Sequence, residues 1–400
     1  MPAARHSPFA SVHADAPANA AMQNTPARAW YAHAMRETAS SRRARRLALR
    51  VFAPALVAFA SPLAAQNATL YGRLNLSLEY IEARNSQGDA PPLQRLSSNT
   101  SRIGFRGAEP LGRGLVAIWQ IESGFSADAG GGTLAGRETF IGIDADWGTL
   151  KFGNFLAPYD DMHAIFGNVP TLTTSVLSTA AIWSQGTLGK TAGGFDARLA
   201  NSVRFDFADW RGVQASLQYA FGEDSRKSHV LGFGAIYTNG PFEGGMAYER
   251  NHHVRDDGFD DWALTATAGW NFGTVRIAGV YERLRYDTPV GALSRDFYGA
   301  SATVLAGPGS FYVFYGRAGD GKADAEVRVG GLASGPGTRA EQFELSYTYA
   351  LSPRTLVYAG WVHLDNEERA SYNFATNPYT AGSPTGLRLN GFVLGAAHFF

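Results

Sequence analysis

The sequence predicts an all-β protein, a transmembrane antiparallel β-barrel of about sixteen strands. Three observations lead there. Alternating segments are long enough to cross a bilayer, short and long connections take turns, and the N-terminus has the pattern of an export signal.

The alternation is clearest in Leu70–Tyr80, where the even positions are apolar or glycine and the odd ones are Tyr71, Arg73, Asn75, Ser77 and Glu79. Val213–Tyr219 and Phe343–Tyr349 repeat it. A helix would scatter these apolar residues around its axis, whereas a strand puts them on one face. Soluble sandwiches alternate too, but their strands average about five or six residues, against about ten for a tilted membrane strand. The segments here are of the longer kind and begin near residues 67, 101, 114, 137, 149, 201, 212, 229, 242, 261, 274, 294, 310, 340, 354 and 386.

Punctuation agrees. Short turns are expected at Glu109–Gly114, Asp146–Gly148, Asp209–Gly212, Asn239–Pro241, Asn271–Gly273, Gly307–Gly309 and Ser352–Pro353. Long polar stretches are expected near 84–100, 126–136, 157–200, 222–228, 251–260, 286–293, 318–339 and 366–385. Outer-membrane barrels are short-turned on one side and long-looped on the other. Trp147, Trp210, Phe221, Tyr237, Trp270 and Tyr349 fall where segments meet turns, the level at which an amphipathic ring finds both its solvents.

Arg42, Arg43, Arg45, Arg46 and Arg50 precede the apolar run Val51–Ala60, which is followed by Ser61-Pro62-Leu63-Ala64-Ala65. A basic region, a short apolar core and small residues make a secretory signal, with cleavage expected after Ala65 and Met35 as an alternative start. The apolar run is too short to span a hydrocarbon core of roughly 30 Å. Residues 1–65 are thus an extension and signal, and 66–400 the barrel domain. Removing the eight arginines and two acids of 1–65 leaves 27 basic and 33 acidic residues, a net charge of about −6. With no cysteine in the chain, disulfides, thiolate metal sites and thiol nucleophiles are excluded, and the charge balance provides no basic field for nucleic acid.

Several runs resemble the beta-proteobacterial and Neisseria-type general porins: Thr69-Leu70-Tyr71-Gly72-Arg73, Ser101–Leu115, Gln120–Phe125, Gly136–Ile143 and the terminal Phe400. The resemblance covers 67–400. It implies sixteen strands, a homotrimer in outer-membrane lipid, a long third external loop folded into the lumen, and passive diffusion of ions and small hydrophilic solutes. It also implies that Phe400 is read by the barrel-assembly machinery. Two positions depart from the family: Phe152-Gly153-Asn154-Phe155 lacks a constriction arginine, and Phe399 replaces a basic penultimate residue.

Inward charges carry the function of such a channel, because a narrow passage focuses their field. The candidate constriction is Arg73, Arg102, Arg106, Arg137 and Arg204 facing Asp160 and Asp161 of the third loop, and its arginine excess points to weak anion selectivity. No cofactor or metal is expected: Asn251-His252-His253 with Asp256, Asp257, Asp260 and Asp261 matches neither a calcium loop nor a zinc helix and reads as a solvated loop. Gly130-Gly131-Gly132 lacks the context of a phosphate loop. Two other classes remain open, an outer-membrane barrel hydrolase and a cell-surface β-rich adhesin. The six histidines beyond residue 65 stand in no catalytic motif, and no enzymatic activity is expected.

Overall fold

The structure, a computed structural model, describes residues 68–85, 88–167, 176–184, 194–223, 227–379 and 385–400. The expected extension and signal at 1–65 lie outside them. From residue 68 onward the chain forms a closed antiparallel barrel of 16 strands. They are β1 (Thr69–Asn85), β2 in two segments (Gly88–Ser98 and Arg102–Gly112), β3 (Leu115–Phe125), β4 (Thr139–Ala145), β5 (Gly148–Leu156), β6 (Arg198–Phe207), β7 (Val213–Phe221) and β8 (His229–Asn239). The second half is β9 (Phe242–His252), β10 (Asp260–Asn271), β11 (Val275–Thr288), β12 (Gly291–Ala306), β13 (Gly309–Ala318), β14 (Ala340–Ser352), β15 (Thr355–Asn366) and β16 (Arg388–Phe399).

Each strand pairs with its sequence neighbours, and β16 returns to β1 in register from Arg73 opposite Phe399 to Arg84 opposite Arg388. Closure leaves no edge, the condition for strands in hydrocarbon, where unpaired backbone groups find no water. Beyond β16, the Phe400 amide donates to the Gly72 carbonyl at 3.1 Å and the Gly72 amide to the Phe400 carbonyl at 2.9 Å.

Alternation resolves into two faces. On β16, Phe392 and Leu394 are exposed while Leu389, Val393 and Ala397 are buried, and on β1 Leu70, Leu74 and Leu78 are exposed while Arg73, Asn75, Ser77 and Glu79 are buried. Large apolar residues outside and charges inside are the inverse of a soluble protein, and an apolar band of this extent marks a membrane contact.

Two expected loops are strands. The expected long polar connection near 84–100 is instead mostly strand: Gly88–Ser98 pairs with β1 from Leu76 opposite Ser98 to Asn85 opposite Gly88. Likewise 286–293 is the tip of a hairpin, with Thr288 opposite Gly291. The polar–apolar contrast disappears there although the ladder continues. Turns at the opposite end are tight, as in Ala145 opposite Gly148, Asn239 opposite Phe242 and Ala306 opposite Gly309.

Val313 on β13 faces outward and is paired with Ala302 and Leu345. Val313→Arg should cost about 2–4 kcal/mol if the site is at mid-depth. Urea titration of the folded barrel in lipid vesicles measures it, with a substitution at the solvent-side Val290 as the comparison expected to cost little.

Candidate functional site

The third loop runs from the end of β5 to the start of β6, and residues 168–175 and 185–193 of it lie outside the described residues. It folds into the lumen. Leaving β5, the chain makes a 3-10 turn at Asp160–Phe166 that ends on Gly167, a residue with φ of 63°. Met162 packs on β9 at Gly245, where an added Cβ would lie 2.8 Å from the methionine sulfur. Phe166 meets Phe314 of β13 edge-on at 5.2 Å, and Trp183 stacks on Phe297 of β12 at 6.1 Å. Leu177 covers Gly360 of β15, where an added Cβ would lie 3.0 Å from a leucine methyl. An inward glycine is what allows the loop backbone to come so close to the wall.

One carboxylate anchors this path. Glu282 of β11 is fully buried and accepts hydrogen bonds from the Tyr159 hydroxyl at 2.9 Å, the Ser184 amide at 3.0 Å and the Ser184 hydroxyl at 3.2 Å. Its charge is met by Arg295 of β12 at 2.5 Å, whose other terminal nitrogen donates to Tyr372 at 3.0 Å. Two separate points of the loop therefore hang on the same ion pair.

The charged side of the lumen lies on the first six strands. Glu122 on β3 collects Arg137 at 2.5 Å, Arg102 at 3.6 Å and the Tyr71 hydroxyl at 3.1 Å. Arg106 lies over the Tyr71 ring at 4.9 Å. Arg73, only 2% exposed, donates to the Thr100 carbonyl at 3.1 Å and to the Thr100 hydroxyl. Arg204 bridges Asp161 at 2.6 Å and Asp206 at 2.9 Å, and Lys151 holds the other oxygen of Asp206 at 2.8 Å.

The two loop carboxylates separate. Asp161 turns to Arg204, while Asp160 gathers with His163 and Asp196, their ligand-type atoms all within 4.8 Å. His163 Nε2 is 3.1 Å from Asp196, and its ring lies 3.9 Å from that of Trp183. Burial pushes the Asp160 carboxyl up to about 7 against the pull of His163, with Asp196 adding to the rise. Burial alone would lower the His163 imidazole, but the hydrogen bond and charge of Asp196 raise it above its usual value.

Comparison with known proteins decides the family. The sequence profile described as Gram-negative porin matches residues 53–369. The chain belongs to the Gram-negative porins. Similar relatives include outer membrane porin protein 32 of Delftia acidovorans, 25% identical over 361 residues that cover 86% of this chain and 97% of that one. The major outer membrane protein P.IA of Neisseria meningitidis serogroup C is 29% identical, covering 57% and 70%. Among solved structures, the anion-selective porin from Comamonas acidovorans superposes with a TM-score of 0.70 at 23% identity, covering 84% of this chain and all of that one. OmpT of Vibrio cholerae in its trimer form gives 0.62 at 16% identity over 84% of this chain and all of its own. This porin is an outer-membrane protein, a water-filled barrel for passive diffusion.

Glu122, Arg198 and Asp206 of the porin's charged wall are not singled out by the sequence reading. Glu122 shares the inward parity of Gln120 on β3, and that parity was the available signal. Arg198 opens β6, within electrostatic reach of Arg137, Glu138, Asp160 and Glu122; in the sequence it sits in the stretch that reads as loop up to residue 200. At Asn154, in place of the family's arginine, the side-chain amide donates to the Arg137 carbonyl at 2.9 Å.

Glu282→Gln strips the buried Arg295 of its counter-charge, a loss of roughly 3–5 kcal/mol. Single-channel recordings should then show higher conductance and larger open-channel noise, and Glu282→Gln/Arg295→Gln should recover part of the parent behaviour. A pH effect follows as well. Asp160 and His163 both bind protons more tightly in the folded loop than in the unfolded chain, so their stabilising contribution falls as pH rises. For Asp160 it is lost between about pH 4 and pH 7, the unfolded and folded values of the group. Open-channel noise should increase from pH 5 to pH 8, and less so in Asp160→Asn.

Proposed function

We propose that this porin is a trimeric, weakly anion-selective general diffusion channel for ions and small hydrophilic solutes, without a substrate-specific site and without catalytic turnover. The observation that carries the selectivity is the state of Arg73 and Arg198. Among the described residues neither guanidinium pairs with a carboxylate: Arg73 donates to oxygens of Asn99 and Thr100, and the buried Nε of Arg198 has no hydrogen-bond partner. Arg102, Arg106, Arg137 and Arg204 complete the wall, and Glu122, Asp161 and Asp206 offset only part of it. The solved structure described as anion-selective supports the same sign. Charges in the outer loops count for little, since salt screens beyond about 10 Å at 0.1 M.

In this reading Asp161 belongs to the constriction through Arg204, whereas Asp160 acts by holding the root of the loop. Residues 1–65 form the extension and signal, and N-terminal sequencing of the exported protein should begin at Gln66. Phe400 serves as the assembly signal; its outward position beside Gly72, in line with Phe392 and Leu394, supports that role. Trimerisation rests on the family and on the trimer form described for OmpT. Unheated gel migration and crosslinking test it, and monomers alone would reject it.

Reversal potentials across a KCl gradient test the selectivity. The parent channel should favour chloride, and Arg198→Ser should move the reversal potential toward the cation side. Cation preference in the parent, or an Arg198→Ser channel with no shift, would count against the reading.

A further inference from the structure

The two ends of the third loop meet where β5 gives way to β6. Leu156 pairs with Arg198, and the Ala157 amide donates to the Ala197 carbonyl at 3.1 Å. That pairing sets Asp196, just before β6, beside the 3-10 turn that carries Asp160 and His163. Phe195 packs on Tyr159 with ring centroids 6.3 Å apart, which steadies the backbone that presents Asp196. His163 is buried and its ring lies 3.9 Å from that of Trp183, so neighbouring packing fixes the imidazole plane.

One imidazole and two carboxylates converge there. The donor atoms of Asp160, His163 and Asp196 all lie within 4.8 Å of one another, and His163 Nε2 is 3.1 Å from Asp196 Oδ2. Ligands bound at roughly 2.0–2.2 Å around a tetrahedral ion stand about 3.4 Å apart. The His163–Asp196 edge is already that short, and the other separations exceed the spacing by at most about 1.4 Å. Closing the set therefore asks for movement of Asp160 and not of the imidazole, and Asp160 is only half-buried. Its carboxyl feels the charges of His163, Asp196, Asp161 and Arg198, and among the described residues no hydrogen-bond donor reaches it. Asp161 is already held by Arg204, which leaves two carboxylates on one imidazole. Ser184 Oγ is 3.4 Å from the same Nε2 that faces Asp196. The group is thus not a nucleophile–base–acid relay, in which acid and nucleophile take opposite ring nitrogens.

We infer that Asp160, His163 and Asp196 form a binding site for a dication of the zinc class, with water completing the coordination. The imidazole selects zinc, cobalt or nickel over magnesium and calcium, and the two carboxylates balance the charge of the ion. The ion takes the place of the proton between His163 and Asp196, since both ligate only when deprotonated. The Asp196 side chain is 18% exposed, which leaves one side of the site open to water. Two ligands come from the end of the loop that leaves β5 and one from the end that enters β6, so the ion clasps the loop at its base. Binding confined to the folded loop stabilises that loop by mass action.

Isothermal titration of ZnCl2 into the untagged, full-length exported barrel in detergent, stripped with EDTA and exchanged into buffer, tests the site. One ion per chain is expected, with MgCl2 in excess failing to displace it. Asp196→Asn and His163→Ala should each abolish binding, whereas His398→Ala, at an exposed histidine on β16, should leave it unchanged. Heat-modifiable gel migration verifies that each variant is folded. In single-channel recordings ZnCl2 should lower the open-channel noise of the parent, EDTA should restore it, and Asp196→Asn should not respond. Absence of binding in the parent, binding that survives in folded Asp196→Asn or His163→Ala, loss of binding in His398→Ala, or displacement by Mg2+ would overturn the site. Binding that leaves the noise unchanged would overturn the clasp.

Discussion

Backbone hydrogen bonding in hydrocarbon is the constraint from which the other features descend. With no water to take an unpaired amide, the sheet has to close, and closure is completed at the seam where β1 meets β16 and Phe400 pairs with Gly72. Once the sheet is closed, its outer face belongs to lipid and its inner face to whatever fills the lumen. This explains why Leu70, Leu74 and Leu78 are exposed and Arg73, Asn75, Ser77 and Glu79 are buried along one strand.

The third loop then divides the interior. On its far side Phe166 and Trp183 meet Phe314 and Phe297, an apolar packing that removes those aromatic faces from water. Toward the first six strands the lumen keeps its guanidiniums and carboxylates. Apolar packing holds the loop against the wall without specifying its register, because such contacts are nondirectional. Direction comes from Glu282, whose hydrogen bonds from Tyr159 and Ser184 are short and fixed in angle, and whose burial is tolerable because Arg295 lies against it. The loop's path is thereby tied to a buried ion pair on a different part of the wall from the arginine-rich side.

Legibility in the sequence follows the same physics. Strands were readable wherever one face meets lipid and the other water, and so β7, β8, β9 and β14 begin at or within a residue of where alternation places them. Where the alternation is weak the signal fails, and the hairpin extensions at Gly88–Ser98 and around Thr288–Gly291 read as loops although the ladder continues through them. Inward parity located Arg73, Arg102, Arg106 and Arg204. It says nothing about which charges meet, and the parting of Asp160 from Asp161 follows from the 3-10 turn, which has no periodic signature. The anchor Glu282 was equally hidden, since its partners Tyr159 and Ser184 are more than ninety residues away.

The interruption of β2 shows how a local irregularity serves the channel. Between its two segments, Thr100 adopts a φ of 51°, and the Asn99 amide and the Ser101 hydroxyl are tied to the Asn75 carbonyl at 2.8 and 3.2 Å. The distortion turns the Thr100 carbonyl toward Arg73, which finds there the acceptor that a buried guanidinium requires. A carboxylate in that place would have satisfied the same donors more strongly and cancelled the charge. Neutral oxygens solvate Arg73 while leaving its field in the lumen, where the low-dielectric wall carries it toward a passing solute. Arg102 and Arg137, held by Glu122 a short distance away, contribute charge that is largely compensated. On the proposed reading, the sign of the passage depends less on how many arginines line it than on which of them are solvated by backbone in place of acids, and a break in one strand is what makes that solvation possible.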